Sequence, residues 1–185
     1  MIAITGAGGF VGRAVLAEAL AAGLEVRVIA RDPATVRAMS GQKSVEVFHG
    51  NVIHAPALAG AFAGVQAVIH LVGIINEWKE NTFQRAHVDA TVNVLSEAKA
   101  AGVKRYLHMS ALGTRADAVS RYHRTKWQAE EAVRKSGLAW TIFRPSLIYG
   151  PGDKSISVLS RMVRRSPVVP VLGDGRSLIQ PVAVE

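Results

Sequence analysis

The chain has 185 residues, 49% of them hydrophobic and 19% charged, and no cysteine. That balance gives one well-buried domain, or one and a fraction, and excludes a disordered chain; the missing thiols exclude disulfides, thiolate metal centres and a cysteine nucleophile. The net charge of +8 is spread along the sequence, and its one cluster, residues 161–165, has no aromatic side chain on which bases could stack, so the charge reads first as solvated surface or as a complement to phosphate groups, with nucleic acid and an acidic protein partner as the lesser alternatives.

In chain order, an apolar strand at 1–5 opens directly, without the cationic region and cleavage site of a signal peptide. A helix over 12–23, stopped by Gly23, leads to a strand at 25–30, a short helix after 32–36 and a strand at 45–49. A helix is expected through the alanine-rich stretch 56–63. A strand at 66–73 and a long helix at 82–102 follow, then a strand at 104–110, a helix at 122–137 and a sixth strand at 139–146. The longest apolar run, 65–75, is too short to span a bilayer and contains His70. A soluble, cytoplasmic protein is expected. After a loop at 147–153 come a helix over 155–165 and a strand-like run at the end, 178–185. Strands alternating with helices imply right-handed crossovers and a doubly wound α/β parallel sheet, whose ligand lies beyond the carboxyl ends of the strands.

"TGAGGFVGRAV" (5–15) stands between the first strand and the first helix. Gly6, Gly9 and Gly12 allow a tight turn, close approach of backbone N–H groups to a pyrophosphate, and tight packing of helix on strand. The second strand ends at Ala30-Arg31-Asp32. A carboxylate there would bond the ribose 2′-hydroxyl of NAD, whereas an arginine accepts the 2′-phosphate of NADP. Asp32-Pro33 has the form of a helix N-cap, so Arg31 points to NADP, with NAD through Asp32 as the alternative. Tyr122 and Lys126, at i and i+4, share a helix face. A nearby ammonium favours the phenolate of a tyrosine that is otherwise a poor base at neutral pH.

The glycine turn, Tyr122-x-x-x-Lys126 and "RPSLIYGPGD" (144–153) together resemble the short-chain dehydrogenase/reductase superfamily, in its extended and atypical branches. Residues 87–113 and 122–146 look most like the group containing the NADPH-binding 39 kDa subunit of respiratory complex I. The resemblance implies a Rossmann fold over 1–185, with 151–185 as the start of a truncated substrate-binding region. It implies that Gly6, Gly9, Phe10, Val11 and Gly12 hold the pyrophosphate and that Arg31 takes the 2′-phosphate. Asn51 and Val52 would stand beside the adenine, Leu71, Val72 and Gly73 would line the cofactor, and Pro145, Ser146, Leu147 and Ile148 would back the nicotinamide. Tyr122 would move the substrate proton, with Lys126 as its electrostatic partner and ribose ligand.

Two positions depart from the family pattern. Ser110 is present at the end of the fifth strand, as a catalytic or pocket-lining hydroxyl, but Ala111 stands where a carbonyl-orienting serine or threonine is usual. His87 stands where an asparagine is common. The expected function is an NAD(P)-dependent oxidoreductase or epimerase/dehydratase-like enzyme acting on an unknown small molecule. The alternative is a non-catalytic NADP(H)-binding structural or assembly module with a protein-complex partner, and a nucleic-acid-binding member is a minor one. No metal site is expected.

Overall fold

In a computed structural model of the chain, the described residues are 1–34, 36, 45–153, 156–165, 168, 174–176 and 178–184. They pack as two compact units, Met1–Arg144 and Pro145–Glu185.

The first unit is built on six parallel strands: β1 (Ile2–Thr5), β2 (Val26–Ala30), β3 (Glu46–His49), β4 (Ala67–His70), β5 (Arg105–Met109) and β6 (Ala139–Phe143). Their order is β3-β2-β1-β4-β5-β6, the doubly wound arrangement expected from the sequence, with its reversal of direction between β1 and β4. Helix α1 (Phe10–Ala21) contributes Leu16 and Ala19 to the cluster on one face, with Ile4, Val26 and Val28. Helices α2 (Ala90–Ala100) and α3 (Arg121–Arg134) supply Val94, Ala98 and Val133 to the other, against Val68, Tyr106 and Phe62.

Local chemistry moves several expected boundaries. The stretch 56–63 forms only a 3₁₀ turn, Ala55–Leu58. Gly60 then turns the chain at φ 76°, and burial of Leu58, Ala61 and Phe62 outweighs the alanine helix propensity. The long helix at 82–102 is not uniform, because Gln84–Asp89 is a π-helical segment leading into α2. The sixth strand stops at Phe143, two residues before Pro145, which has no N–H to continue a ladder. The helix expected after Asp32 includes Pro33, Ala34 and Val36; residues 35 and 37–44 lie outside those described.

In the second unit a short strand, β7 (Ile148–Tyr149), pairs in parallel with β8 (Val182–Ala183). The loop expected at 147–153 is therefore partly strand. Helix α4 (Ile156–Arg165) follows, and the Asp153 carboxylate accepts hydrogen bonds from the Ser157 amide (3.0 Å) and hydroxyl (2.6 Å). Among the described residues no helix is long and apolar enough to cross a membrane.

Toward the carboxyl ends of β4 and β5, the face that packs on α2 and α3 turns polar. Val68 and Tyr106 give way to His70 and His108, which lie opposite each other in register and stack at 5.6 Å. The hydroxyl of Thr91 bonds the His87 carbonyl at 2.6 Å, so His70 Nε2–H donates to Thr91 at 3.2 Å and His70 Nδ1 accepts from Thr5 at 2.7 Å. Burial, reinforced by His108, Lys126 and His87, holds His70 well below its ordinary range. Burial first and Lys126 second lower His87 to about 4 and His108 to about 3.

The imidazoles charge near 6.5 in the unfolded chain, whereas in the fold His87 charges only at about 4 and His108 at about 3, and His70 is shifted in the same direction, so unfolding takes up protons as pH falls below about 6.5. The histidine contribution to stability is complete above about pH 6.5 and is lost as pH drops toward 4, each fully participating group contributing about 1.4 kcal/mol per pH unit. Urea unfolding between pH 7 and 4.5 should show this slope, and His108→Leu should reduce it by about one group's share. An unchanged slope in that variant would mean that His108 is already solvated in the fold.

Candidate active site

The carboxyl ends of the first four strands surround a cleft of about 480 Å³ at the point where the strand order reverses. Its walls come from the turn after β1 (Gly6, Ala7, Gly8, Gly9), the end of β2 (Ala30, Arg31, Asp32), the turn after β3 (50–53) and residues 71–74 after β4. The sequence dictates how tightly these close. Gly6 has φ 80°, and a Cβ there would lie 3.0 Å from the Leu71 carbonyl carbon and the Val72 nitrogen. A Cβ on Gly12 would fall 2.1 Å from the Gly6 carbonyl oxygen, so only glycine lets α1 start against this turn. The first helical bond runs from Arg13 N–H to the Gly9 carbonyl (3.0 Å). The amides of residues 10–12 precede that bond, so they stand at the positive end of α1.

Of the residues singled out in the sequence, Gly6, Gly9, Arg31, Asn51, Val52, Leu71, Val72 and Gly73 line the cleft. Phe10, Val11 and Gly12 form the first turn of α1 and are not among its lining residues. Asn51 Oδ1 accepts the Ile53 N–H at 3.3 Å, and Asn93 Nδ2 on α2 holds the same turn through the Val52 carbonyl at 3.0 Å. Arg31 is exposed, while Asp32 Oδ1 accepts the Ala34 N–H at 3.0 Å, as an N-cap does. Gly8, Gly50, Ile74 and Asn81 also line the cleft and were not anticipated. The run of glycines after β1 and "HGN" after β3 were the available signals. Pro145, Ser146, Leu147 and Ile148 belong to the second unit.

Beside this cleft, α3 carries Tyr122 and Lys126. Lys126 is buried; its ammonium donates to the Met109 carbonyl at 2.9 Å, and a Cβ on Gly73 would lie 3.0 Å from Nζ. Burial lowers Lys126 to about 8, with Glu130 pulling the other way. Tyr122 is half-buried, with its ring edge-on to Phe83 (5.8 Å), His87 (5.2 Å) and His123 (5.0 Å). Burial raises its phenol, so the phenolate expected from the Tyr-Lys spacing is not favoured in this arrangement.

One turn further along α3, Glu130 is fully buried and ion-paired to Arg134 (2.6 Å) and Arg144 (2.5 Å). Burial would raise its carboxyl, but the hydrogen bonds from Arg144 and Arg134 outweigh this and hold it below its usual value. Ser110 is also buried, with its hydroxyl donating to Thr114 Oγ1 at 3.3 Å. It is not among the residues lining the cleft.

These contacts separate two glycines that look alike in sequence. Gly12→Ala should cost several kcal/mol, since a Cβ meets backbone at 2.1 Å. Gly8→Ala meets nothing within 4 Å and should leave thermal unfolding within about 0.5 kcal/mol of the parent, apart from a small propensity effect. Equal losses for the two substitutions, measured by calorimetry, would contradict this packing.

A family model described as NAD(P)H-binding matches residues 6–164. The chain is 36% identical over 175 residues to a ceramide reductase of Caulobacter vibrioides, covering 94% of this chain and 54% of that protein. It is 29% identical over 186 residues to the mitochondrial NADH dehydrogenase (ubiquinone) 1 alpha subcomplex subunit 9 of Arabidopsis thaliana, covering 98% and 46%. The chain thus spans about half the length of these curated relatives. Among solved structures, it matches an NADPH-dependent quinone oxidoreductase of Escherichia coli, complexed with NADPH. The TM-score is 0.70 at 25% identity, covering 89% of this chain and 54% of that one. A dTDP-glucose 4,6-dehydratase from Streptomyces venezuelae, with NAD bound, gives a TM-score of 0.79 at 23% identity, covering 100% and 68%, a likeness of fold. The glycine turn, the switch-point cleft and the α3 pair all fall within the matched span, and the chain belongs to the NAD(P)H-binding family, of short-chain dehydrogenase/reductase type.

Proposed function

We propose that this chain is the cofactor-binding part of an NAD(P)-dependent oxidoreductase acting at a carbonyl or hydroxyl carbon, with NADP(H) preferred and with epimerase/dehydratase-like chemistry open to the same site. The observation that carries the reading is the buried Lys126 ammonium beside Gly73, a residue lining the cleft, with Tyr122 one turn away on the same helix. Residues 151–185 would open the substrate-binding region. The cleft residues fit a dinucleotide. Gly6 and Gly9 bring backbone close without side chains, the α1 N-terminus favours pyrophosphate, and exposed Arg31 suits a 2′-phosphate. Asn51 and Val52 would face the adenine, and Leu71, Val72 and Gly73 the body of the cofactor.

When bound, the nicotinamide donates or accepts a hydride. Tyr122 holds the proton at its phenol oxygen. Raised by burial, it stays protonated at neutral pH and donates to a carbonyl oxygen as that oxygen gains charge. Lys126, lowered to about 8, has donors beyond the one on Met109 for ribose hydroxyls and, in its ammonium form, stabilises a transient phenolate. Tyr122→Phe should reduce turnover of NADPH with a panel of aliphatic and aromatic ketones by at least about 100-fold, leaving NADPH affinity within about threefold. Parent-level turnover in that variant would defeat the catalytic assignment.

A second reading, a tightly held NADP(H) serving structure or assembly, is favoured by Ala111 and by the inward hydrogen bond of Ser110. It expects the nucleotide to co-purify and Tyr122→Phe to change nothing. Both readings share the 2′-phosphate assignment. Arg31→Ala should weaken NADPH binding about 10- to 100-fold, or about 1.4 to 2.8 kcal/mol, with NADH nearly unaffected. Equal weakening of both by calorimetric titration would remove Arg31 from that role.

A further inference from the structure

His87 is a buried group that the proposed chemistry leaves unused, and it touches both sides of the site. It lies in the π-helical segment before α2, a geometry that recurs at functional sites because it re-aims side chains out of the α spacing. Its Nε2 is 3.2 Å from the Ile74 nitrogen and 3.0 Å from the Ile74 carbonyl oxygen, and Ile74 lines the cleft beside Gly73. Its Nδ1 is 2.9 Å from Thr125 Oγ1, the residue immediately before Lys126. The Thr125 hydroxyl in turn lies 3.0 Å from the Arg121 and Tyr122 carbonyls. In one tautomer Ile74 N–H donates to Nε2 and Nδ1–H donates to Thr125; in the other Nε2–H donates to the Ile74 carbonyl and Nδ1 accepts from the Thr125 hydroxyl, so both tautomers link the same two elements. The His87 ring is stacked on Phe83 at 5.4 Å and meets Tyr122 edge-on at 5.2 Å.

We propose that His87 is a positioning residue for the Tyr122–Lys126 pair, a strut that clamps α3 to the Gly73 and Ile74 wall of the cleft and sets the seat of the Tyr122 ring. The inference rests on the reading of Tyr122 as the proton-transferring group. The imidazole suits the task because its two nitrogens, on opposite edges of one rigid ring, bond two different elements at once. Asparagine, shorter and with both polar atoms at one end, reaches only one of them. Burial of His87 and its low charge state keep this bridge intact through the neutral range without a second cation beside Lys126.

The test uses His87→Phe, which keeps a ring against Phe83 and Tyr122 but breaks both hydrogen bonds, and His87→Gln, which can donate and accept. Thr125→Val cuts the far end of the strut without altering His87, and stands in if His87→Phe does not fold. The chain has three tyrosines, so ring-carbon NMR resolves each, with Tyr122 assigned by its loss in Tyr122→Phe. In His87→Phe and Thr125→Val the Tyr122 resonance should shift or broaden while those of Tyr106 and Tyr149 stay. Amide exchange at Ile74 should quicken in His87→Phe, and His87→Gln should restore the parent pattern in part. With the ketone that the parent turns over fastest, kcat should fall at least about tenfold and KM for NADPH should stay within about twofold. An unmoved Tyr122 resonance in both His87→Phe and Thr125→Val overturns the strut. Parent-level turnover in Tyr122→Phe instead overturns the catalytic reading, and the resonance still decides the strut.

Discussion

The site depends on how closely the turn after β1 can approach the end of β4. In a doubly wound sheet the crossovers leave in opposite directions from these neighbouring strands, and a crevice opens between them. Here the crevice is narrow because Gly6 faces the Leu71 and Val72 backbone at what would be 3.0 Å from a Cβ. Gly12 lets α1 begin directly against that turn. The same two contacts place the N-terminal end of α1, residues 71–74 and the ends of β2 and β3 around one volume. The Lys126 ammonium packs against the Gly73 wall of this crevice because residue 73 also lacks a side chain. Close backbone approach, more than any single polar contact, makes the cleft.

The second constraint is a polar stripe in a place where a core would normally be apolar. His70, His87, His108, Lys126 and Glu130 all lie buried on the α2 and α3 side of the sheet. The ionised groups among them are handled in two ways. Glu130 is charged because two arginines close on it, with Trp127 packed under both guanidinium groups at 4.9 and 5.8 Å. The histidines are handled by neutrality, and the Thr5–His70–Thr91 chain fixes one tautomer. Lys126 is held against the Met109 carbonyl, and burial lowers it to about 8 while Glu130 pulls the other way.

Much of this was legible in the sequence because it is written in short-range patterns. Strand-helix alternation gave the six parallel strands, and the glycine spacing located the turn of residues 6–12. The placement of Asp32 as an N-cap followed from Asp-Pro. What was not legible depends on three-dimensional packing. The alanines at 56–63 carry helix propensity, but the burial of Phe62 and the turn at Gly60 decide the backbone there. Ser110 has the right identity for a catalytic hydroxyl, yet its side chain bonds Thr114, a partner four residues away that no motif announces. The departure at His87 was visible, but its bonds to residues 74 and 125 required the fold. The environment of the Tyr122 phenol likewise needed the fold: spacing places an ammonium on the same helix face, while Lys126 bonds the Met109 carbonyl and burial raises the phenol.

Lys126 and Tyr122 carry different weight in the competing functional readings. A buried ammonium is costly to the fold, and here its hydrogen bond to the Met109 carbonyl offsets only part of that cost. An apolar residue would satisfy the Gly73 side, and Glu130 already has its arginines. Groups held at a cost to the fold mark where function acts on it. A ribose ligand is enough to account for Lys126, so it fits an enzyme and a nucleotide-holding module equally. Tyr122 is different. Its ring is seated among Phe83, His87 and His123, and none of the hydrogen bonds described around α3 passes through its phenol. A phenol needed only for packing could be a phenylalanine. Hence Tyr122, and not Lys126, is the residue at which the two proposed readings part: an enzyme uses its phenol and a nucleotide shelf does not.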